Sequence, residues 1–198
     1  RMLGLSAVVR KAVLSMPGEK KNPVFIGGGR TYLPSLAEEA LAEGKCDFIF
    51  MGHGLLAEPH LVEYMEQDRC EEVRPCIGCN LCADDQLSHI RCSCNAVLGN
   101  GENDYTMEPA AVIKKVLVVG GGIAGMEAAR TAARRGHKVT LVEQNDHLGG
   151  QLDYAVAPPY KDNLKQLYPY YEKQLELNGV EVLLNTTADE AYVASRKP

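Results

Sequence analysis

The chain has 198 residues, 45% of them hydrophobic, and a formal net charge of −5. That composition supports a real core in one or two modest domains, while no apolar run is long enough to span a bilayer, which excludes a membrane span. The acidic balance argues against a nucleic-acid partner, which normally needs a basic face, and seven cysteines clustered at metal-ligand spacing, with no export signal, point to a reducing compartment, the cytoplasm by default.

In chain order, residues 5–14 read as an amphipathic helix within RMLGLSAVVRKAV, which lacks a leader's small-residue cleavage site and begins at Arg1. Pro23-Val24-Phe25-Ile26 reads as a short strand ending in Gly27-Gly28-Gly29-Arg30. PSLAEEALAEGK follows as a helix, opened near Pro34, closed at Gly44, with Leu36, Ala37, Ala40 and Leu41 on one face. Cys46–Met51 is a second strand, ending in the turn Gly52-His53-Gly54, and a helix starts near Glu58-Pro59 and runs through Leu61, Val62 and Met65. This alternation of strand, glycine turn and helix is that of parallel βα units.

Residues 66–111 break the rhythm: they are polar, rich in cysteine and dotted with Gly and Asn, as where a cofactor replaces a hydrophobic core. A second βαβ unit then runs from strand Lys115–Val119 through a glycine turn at 120–125 and a helix to about Arg135, into strand Lys138–Glu143. After Gly149-Gly150-Gln151-Leu152 and Pro158-Pro159, a helix is expected from Asp162 to Leu177, ended by Gly179, with a strand at Val180–Leu184. Two strand–helix units with exposed parallel edges, and a Rossmann-like sheet that stops early, read as a fragment truncated at both ends.

The spacing Cys76-x2-Cys79-x2-Cys82, with a later cysteine, puts three thiolates within two short turns. Four thiolates hold either a tetrahedral zinc ion or an iron–sulfur cubane. Zinc ribbons use two separate Cys-x2-Cys knuckles, whereas a triple run plus a distant single cysteine suits the cubane. The spacing leaves the fourth ligand open between Cys92 and Cys94. Cys46 and Cys70 read as packed small hydrophobes.

Gly120-x-Gly122-x-x-Gly125 follows an apolar strand and opens a helix, the context a dinucleotide fingerprint needs. Gly120 permits the turn, Gly122 lets a pyrophosphate approach the backbone, and Gly125 lets the helix lie close on the strand. The helix N-terminus offers unpaired N–H groups to phosphate. Ala124, Ala128, Ala129 and Ala132 are expected to face the sheet. Glu143, about 20 residues on, stands where an acid binds a free ribose 2′-hydroxyl, favouring FAD, ADP or NAD over a 2′-phosphate. Arg130, Arg134 and Arg135 read as cations favoured by the helix dipole, without a site role.

The two earlier glycine turns close consecutive parallel strands. In a (β/α)8 barrel the loops after the last two strands commonly form a phosphate site, to which Arg30 would add charge. His53 reads equally as a phosphate donor or as an ordinary loop residue, and His60, His89, His137 and His147 read as structural.

Taken together, PVFIGGGR, AEEALAEGKCDFIFMGHGLLAEP, RPCIGCNLC and KKVLVVGGGIAGMEAA, followed by VTLVEQ and LGGQL, resemble the flavin- and iron–sulfur-containing branch of the Old Yellow Enzyme superfamily. That branch includes 2,4-dienoyl-CoA reductase, trimethylamine dehydrogenase and related NADH:flavin oxidoreductases. The resemblance implies an α/β chain in three parts. Residues 1–75 would be the C-terminal βα units of an FMN-binding TIM barrel. Residues 76–110 would carry a [4Fe–4S] segment and linker, and 111–198 would begin a Rossmann-like FAD/NAD(P)-binding domain.

Carried over by position, Gly29, Arg30, Gly52 and His53 would contact the FMN phosphate, although the family usually has Arg where this chain has His53. Cys76, Cys79, Cys82 and Cys92 would hold the cluster, because in the family the last ligand is followed by Asn after two intervening residues, as Cys92 is here by Ser93-Cys94-Asn95. Gly120, Gly122, Ala124, Gly125, Glu143 and Gln151 would line the second nucleotide, FAD or ADP. The implied mechanism is a relay. In a reductase, NAD(P)H reduces FAD, electrons pass singly through the cluster to FMN, and FMN delivers hydride to an activated alkene. In an amine dehydrogenase the flow reverses, from a small methylated amine outward to an electron-transfer protein. The Cys79–Cys82 spacing is familiar on that side. The family's substrate-activating His and Tyr belong to earlier barrel strands, so no catalytic residue is assigned here. The rival reading is a non-catalytic, zinc-stabilised nucleotide-binding module.

Overall fold

The structure is a computed structural model that describes residues 2–18, 22–29, 33–84, 90–99 and 107–198. The chain forms two compact units, residues 1–99 and 100–198, each with its own parallel sheet. No helix among the described residues is long and apolar enough to cross a membrane.

In the first unit, α1 (Met2–Ser15) precedes β1 (Ile26–Gly28), α2 (Pro34–Ala42) and β2 (Phe48–Phe50). The strands pair in parallel, Ile26 opposite Phe48 and Gly28 opposite Phe50. The expected strand at 23–26 is displaced into the glycine run. Pro23 has no N–H for a ladder, and the Phe25 N–H donates instead to the Asp47 carboxylate at 2.9 Å, while the Asp47 N–H donates to the Phe25 carbonyl at 2.8 Å. Pro34 occupies the first turn of α2, where its missing donor costs nothing, and Ala37 and Ala40 are its buried face. Cys46 is buried as expected, but Cys70 is exposed, because it opens a short 3-10 turn (Cys70–Glu72) on the surface.

The segment 52–54, read as a glycine turn, instead enters a helix at once: α3 spans His53–Ala57 with Gly52 as its N-cap residue. The next helix, α4, is confined to Leu61–Glu66. Beyond it, α5 (Leu81–Asp84) is the one α-helix in the cysteine-rich stretch among the described residues.

In the second unit, β3 (Lys115–Val119), β4 (Lys138–Val142) and β5 (Glu181–Leu183) form a parallel sheet in that order. The helix α6 (Ile123–Arg134) crosses from β3 to β4. Between β4 and β5 come α7 (Leu152–Ala155), a 3-10 turn at Asp162–Gln166 and α8 (Leu167–Leu177). Pro169 falls in the first turn of α8, which explains why the single helix expected from Asp162 is split there. A last helix, α9 (Glu190–Arg196), is capped by the Asp189 carboxylate accepting the Tyr192 N–H at 2.7 Å.

The core of this unit is Met126, Ala129, Leu141, Val142 and Leu175. The alanine stripe on α6 is only partly as expected: Ala129 is buried, but Ala124 and Ala128 are exposed, and Met126 and Arg130 fill the inner face. Arg130 is therefore not a helix-end cation. It is buried, and two guanidinium nitrogens donate to the Glu127 carboxylate at 2.9 and 2.7 Å. That bidentate pair satisfies a charge whose burial alone would be costly.

Candidate cofactor-binding sites

The cysteine segment is shaped by two left-handed residues. Gly78 (φ +69°) and Asn80 (φ +59°) turn the backbone twice within Cys76–Cys82, a conformation that glycine and asparagine adopt most readily. The Asn80 carbonyl accepts the Ala83 N–H at 2.9 Å, setting up the turn that carries Cys82. Across the segment, Cys79 Sγ lies 3.2 Å from Ser93 Oγ. The result is one cavity lined by Cys76, Cys79, Cys82, Cys92 and Cys94 together with His53 and Leu56 of α3. Among the described residues no three His, Cys, Asp or Glu side chains close as a shell on one ion, so the sulfurs share a cavity rather than a point.

Within this wall the thiols differ. Burial pushes the Cys76 thiol up, reinforced by the neighbouring Cys92, Cys79 and Cys82. The Cys92 thiol is pulled down to about 6, first by a hydrogen bond from the Cys94 S–H, then by the backbone N–H groups of Cys94 and Asn95 and the charge of Arg74. Cys94, as the donor of that pair, is pushed up. Donor chemistry fits a thiolate-held centre: every candidate ligand is cysteine, and a cubane gives each thiolate its own iron.

Asn95, almost wholly buried, fastens this segment to α3. Its Nδ2 donates to the Leu56 carbonyl at 3.0 Å, and its Oδ1 accepts the Val97 N–H at 3.3 Å. The Leu56 carbonyl belongs to the last turn of α3, and the His60 N–H four residues on is directed at the Glu58 carboxylate instead. Replacing Asn95 with alanine leaves that carbonyl without its side-chain donor. The expected loss is about 1–3 kcal/mol, read as a lower thermal or urea midpoint; an unchanged midpoint would show that the tie is dispensable.

In the second unit the glycine turn follows β3 as its pattern requires. The N-cap of α6 is Gly122, with no side-chain cap bond, which leaves the first-turn N–H groups for another acceptor. A loop after β4 crosses this turn: Gly122 bridges Gly149 in parallel fashion, and the Gly149 N–H donates to the Gly121 carbonyl at 2.9 Å. Glu143 is 6% exposed, and its two oxygens accept the Gly121 N–H at 2.6 Å and the Asn145 N–H at 2.8 Å. Farther along the loop, the His147 imidazole joins Asp146 at 2.6 Å and Asp153 at 3.0 Å. Asp153 also accepts the Tyr168 hydroxyl, which anchors the loop to α8. These carboxylates push the His147 imidazole up, Asp146 foremost.

Residues 115–193 match the FAD dependent oxidoreductase family. Over 169 residues the chain is 43% identical to the NADH oxidase of Thermoanaerobacter brockii, covering 83% of this chain and 26% of that protein. Over 172 residues it is 42% identical to the cinnamate reductase of Clostridium sporogenes, covering 85% of this chain and 26% of that protein. A solved complex of 2-naphthoyl-CoA reductase with 2-naphthoyl-CoA matches at TM-score 0.87 and 32% identity, over 99% of this chain and 29% of that one. The chain belongs to the iron–sulfur flavoprotein branch of the Old Yellow Enzyme superfamily.

Members of this branch are oxidoreductases, and the chain spans about a quarter of the length of the relatives it matches. A mixed α/β chain with an FAD-oxidoreductase-like second unit is what the branch has here, and flavin is its common cofactor. A zinc-stabilised module without catalysis is not favoured by that membership. Of the residues the branch pattern singles out, Arg30 lies outside the described residues; so does His89, which the sequence reads as structural. Gly29 (φ +102°) is left-handed just after β1, and Gly52 precedes α3. His53 faces the cysteine cavity rather than standing in an open turn. Gly120, Gly122, Gly125 and Glu143 assemble around one turn, Ala124 is exposed on α6 beside them, and Gln151 is the exposed N-cap residue of α7.

Sequence reading missed the work done by Asn95 and by the network of His147 in the loop, Asp153 on α7 and Tyr168 on α8. Asn95 carried a signal, its place after Cys92, the ligand the branch pattern points to. The loop network carried none, because its members are brought together from three separate elements.

Proposed function

We propose that this chain is the electron-relaying part of an NAD(P)H-dependent flavin and iron–sulfur reductase acting on an activated alkene or an unsaturated acyl thioester. In this reading residues 1–75 close an FMN-binding barrel, 76–110 hold a [4Fe–4S] cluster, and 111–198 open a domain for FAD or ADP. The observation that carries it is the common cavity of Cys76, Cys79, Cys82 and Cys92 beside α3, the helix entered directly from the Gly52 turn. In this reading Cys76, Cys79, Cys82 and Cys92 are the ligands, Cys92 rather than Cys94 because Asn95 follows it at the branch's spacing. The chemistry supplied by these groups when bound is transfer of electrons between a hydride donor and the substrate. Reductases of cinnamate and 2-naphthoyl-CoA among the relatives lead this reading toward reduction, and the amine dehydrogenases of the same branch make oxidation of a small methylated amine the second reading.

The chain's own residues contribute position. Gly29, Arg30 and the Gly52 turn offer backbone and charge to the FMN phosphate, and the uncapped start of α6 offers N–H groups to a pyrophosphate. Glu143 offers its remaining lone pairs to a ribose. Metal analysis of anaerobically purified protein tests the reading. Brown protein with about four irons and four acid-labile sulfides per chain is expected; colourless protein with stoichiometric zinc would replace it with the structural-module reading.

A further inference from the structure

We propose that the His53 imidazole donates a hydrogen bond to the iron–sulfur centre and so raises its reduction potential, making it a positioning and tuning residue rather than a phosphate ligand. The inference rests on the cluster reading above. From the sequence, His53 sits between two glycines in a turn beside a phosphate. In the structure that turn passes straight into α3, where His53 and Leu56, three residues apart, share one helix face. That face forms a wall of the cysteine cavity.

The helix is held against the cysteine segment at its far end. Asn95 Nδ2 donates to the Leu56 carbonyl at 3.0 Å, and Arg74 Nη1 donates to the Ala57 carbonyl at 3.4 Å. His53 is half-buried, and its ring has no hydrogen-bond partner among the described residues. Of the residues lining the cavity, His53 and Asn80 carry side-chain N–H groups, and Asn80 is exposed. An imidazole keeps at least one N–H in either neutral tautomer and in the cation, whereas thiolates and sulfides only accept. Reducing a cluster adds negative charge, so an N–H directed at its sulfur stabilises the reduced form. Hydrogen bonds to sulfur are among the factors that set these potentials.

The test is an EPR-monitored redox titration of the cluster-loaded protein and of two variants, with iron and sulfide measured in each. His53→Leu is expected to keep the cluster and shift its potential to a more negative value. His53→Gln, which retains an N–H donor of similar reach, is expected to recover most of that shift. An unchanged potential in His53→Leu overturns the proposal, and so does an equal shift in both variants, which would mark a packing effect. Absence of iron and sulfide from the unsubstituted protein would instead remove the cluster reading itself. Should His53→Leu lose its cluster, the unsubstituted protein labelled with 15N-histidine decides. A hyperfine coupling from an imidazole nitrogen to the reduced cluster supports the hydrogen bond, and none overturns it.

Discussion

Replacing Cys92 with serine is expected to strip iron and sulfide from the protein, while replacing Cys94 with alanine leaves them in place. The two residues are two apart and line the same cavity, so proximity alone does not separate them. Their electrostatic surroundings push them in opposite directions. The backbone N–H groups of Cys94 and Asn95 and the charge of Arg74 pull the Cys92 thiol down, the direction that favours the anionic sulfur a metal needs. Burial pushes the Cys94 thiol up, which disfavours its thiolate. Loss of an outer-shell donor typically weakens metal retention by about 10–100-fold, whereas loss of a ligand prevents assembly. Iron, sulfide and the visible spectrum after anaerobic reconstitution read the difference. A cluster kept in Cys92→Ser and lost in Cys94→Ala would reverse the assignment.

A second pair of variants separates folding from nucleotide binding at the glycine turn. A methyl at Gly125 would fall on the carbonyl oxygen of Gly120, which is backbone and has nowhere to go. Gly125→Ala is therefore expected to cost at least about 1–3 kcal/mol through overpacking, seen as an early melting transition, and to abolish binding with it. A methyl at Gly122 meets nothing nearer than the Gly149 carbonyl at 3.9 Å, an ordinary contact, and the backbone there (φ −71°) suits any residue. Gly122→Ala should melt within about 0.5 kcal/mol of the parent yet lose FAD and ADP affinity, because the methyl stands where a pyrophosphate must approach. Calorimetric titration with each nucleotide, alongside thermal melts, checks both. Parent-like affinity in Gly122→Ala would mean that no pyrophosphate lies on this turn.

The parts of the fold that were legible in the sequence are those where one local rule decides. The β3–α6–β4 unit is read within a residue or two, because an apolar run, a glycine fingerprint and a helical alanine pattern agree over a short span. Where a distant side chain intervenes, the reading slips. Phe25 looks like strand, but the Asp47 carboxylate, 22 residues away, takes its N–H. The Gly52-His53-Gly54 run looks like a turn, yet it begins a helix whose far end is held by Asn95, 39 residues from the carbonyl it caps. Arg130 looks like a surface cation because nothing local reveals that α8 covers it beside Tyr170 and Tyr171. The cysteine spacing indicated which residues gather but not how they divide, since the roles of Cys92 and Cys94 depend on which sulfur the backbone N–H groups face.

The engagement of Glu143 bears on how cofactor preference could change in such a domain. An ionised carboxylate has about four lone-pair positions; the Gly121 and Asn145 amides occupy two. The group that would discriminate a bare sugar diol from a phosphorylated one also holds the backbone curvature on which the phosphates would rest. Switching selectivity by exchanging this single acid would therefore loosen the cradle at the same stroke, and a workable switch has to supply substitute acceptors for both amides.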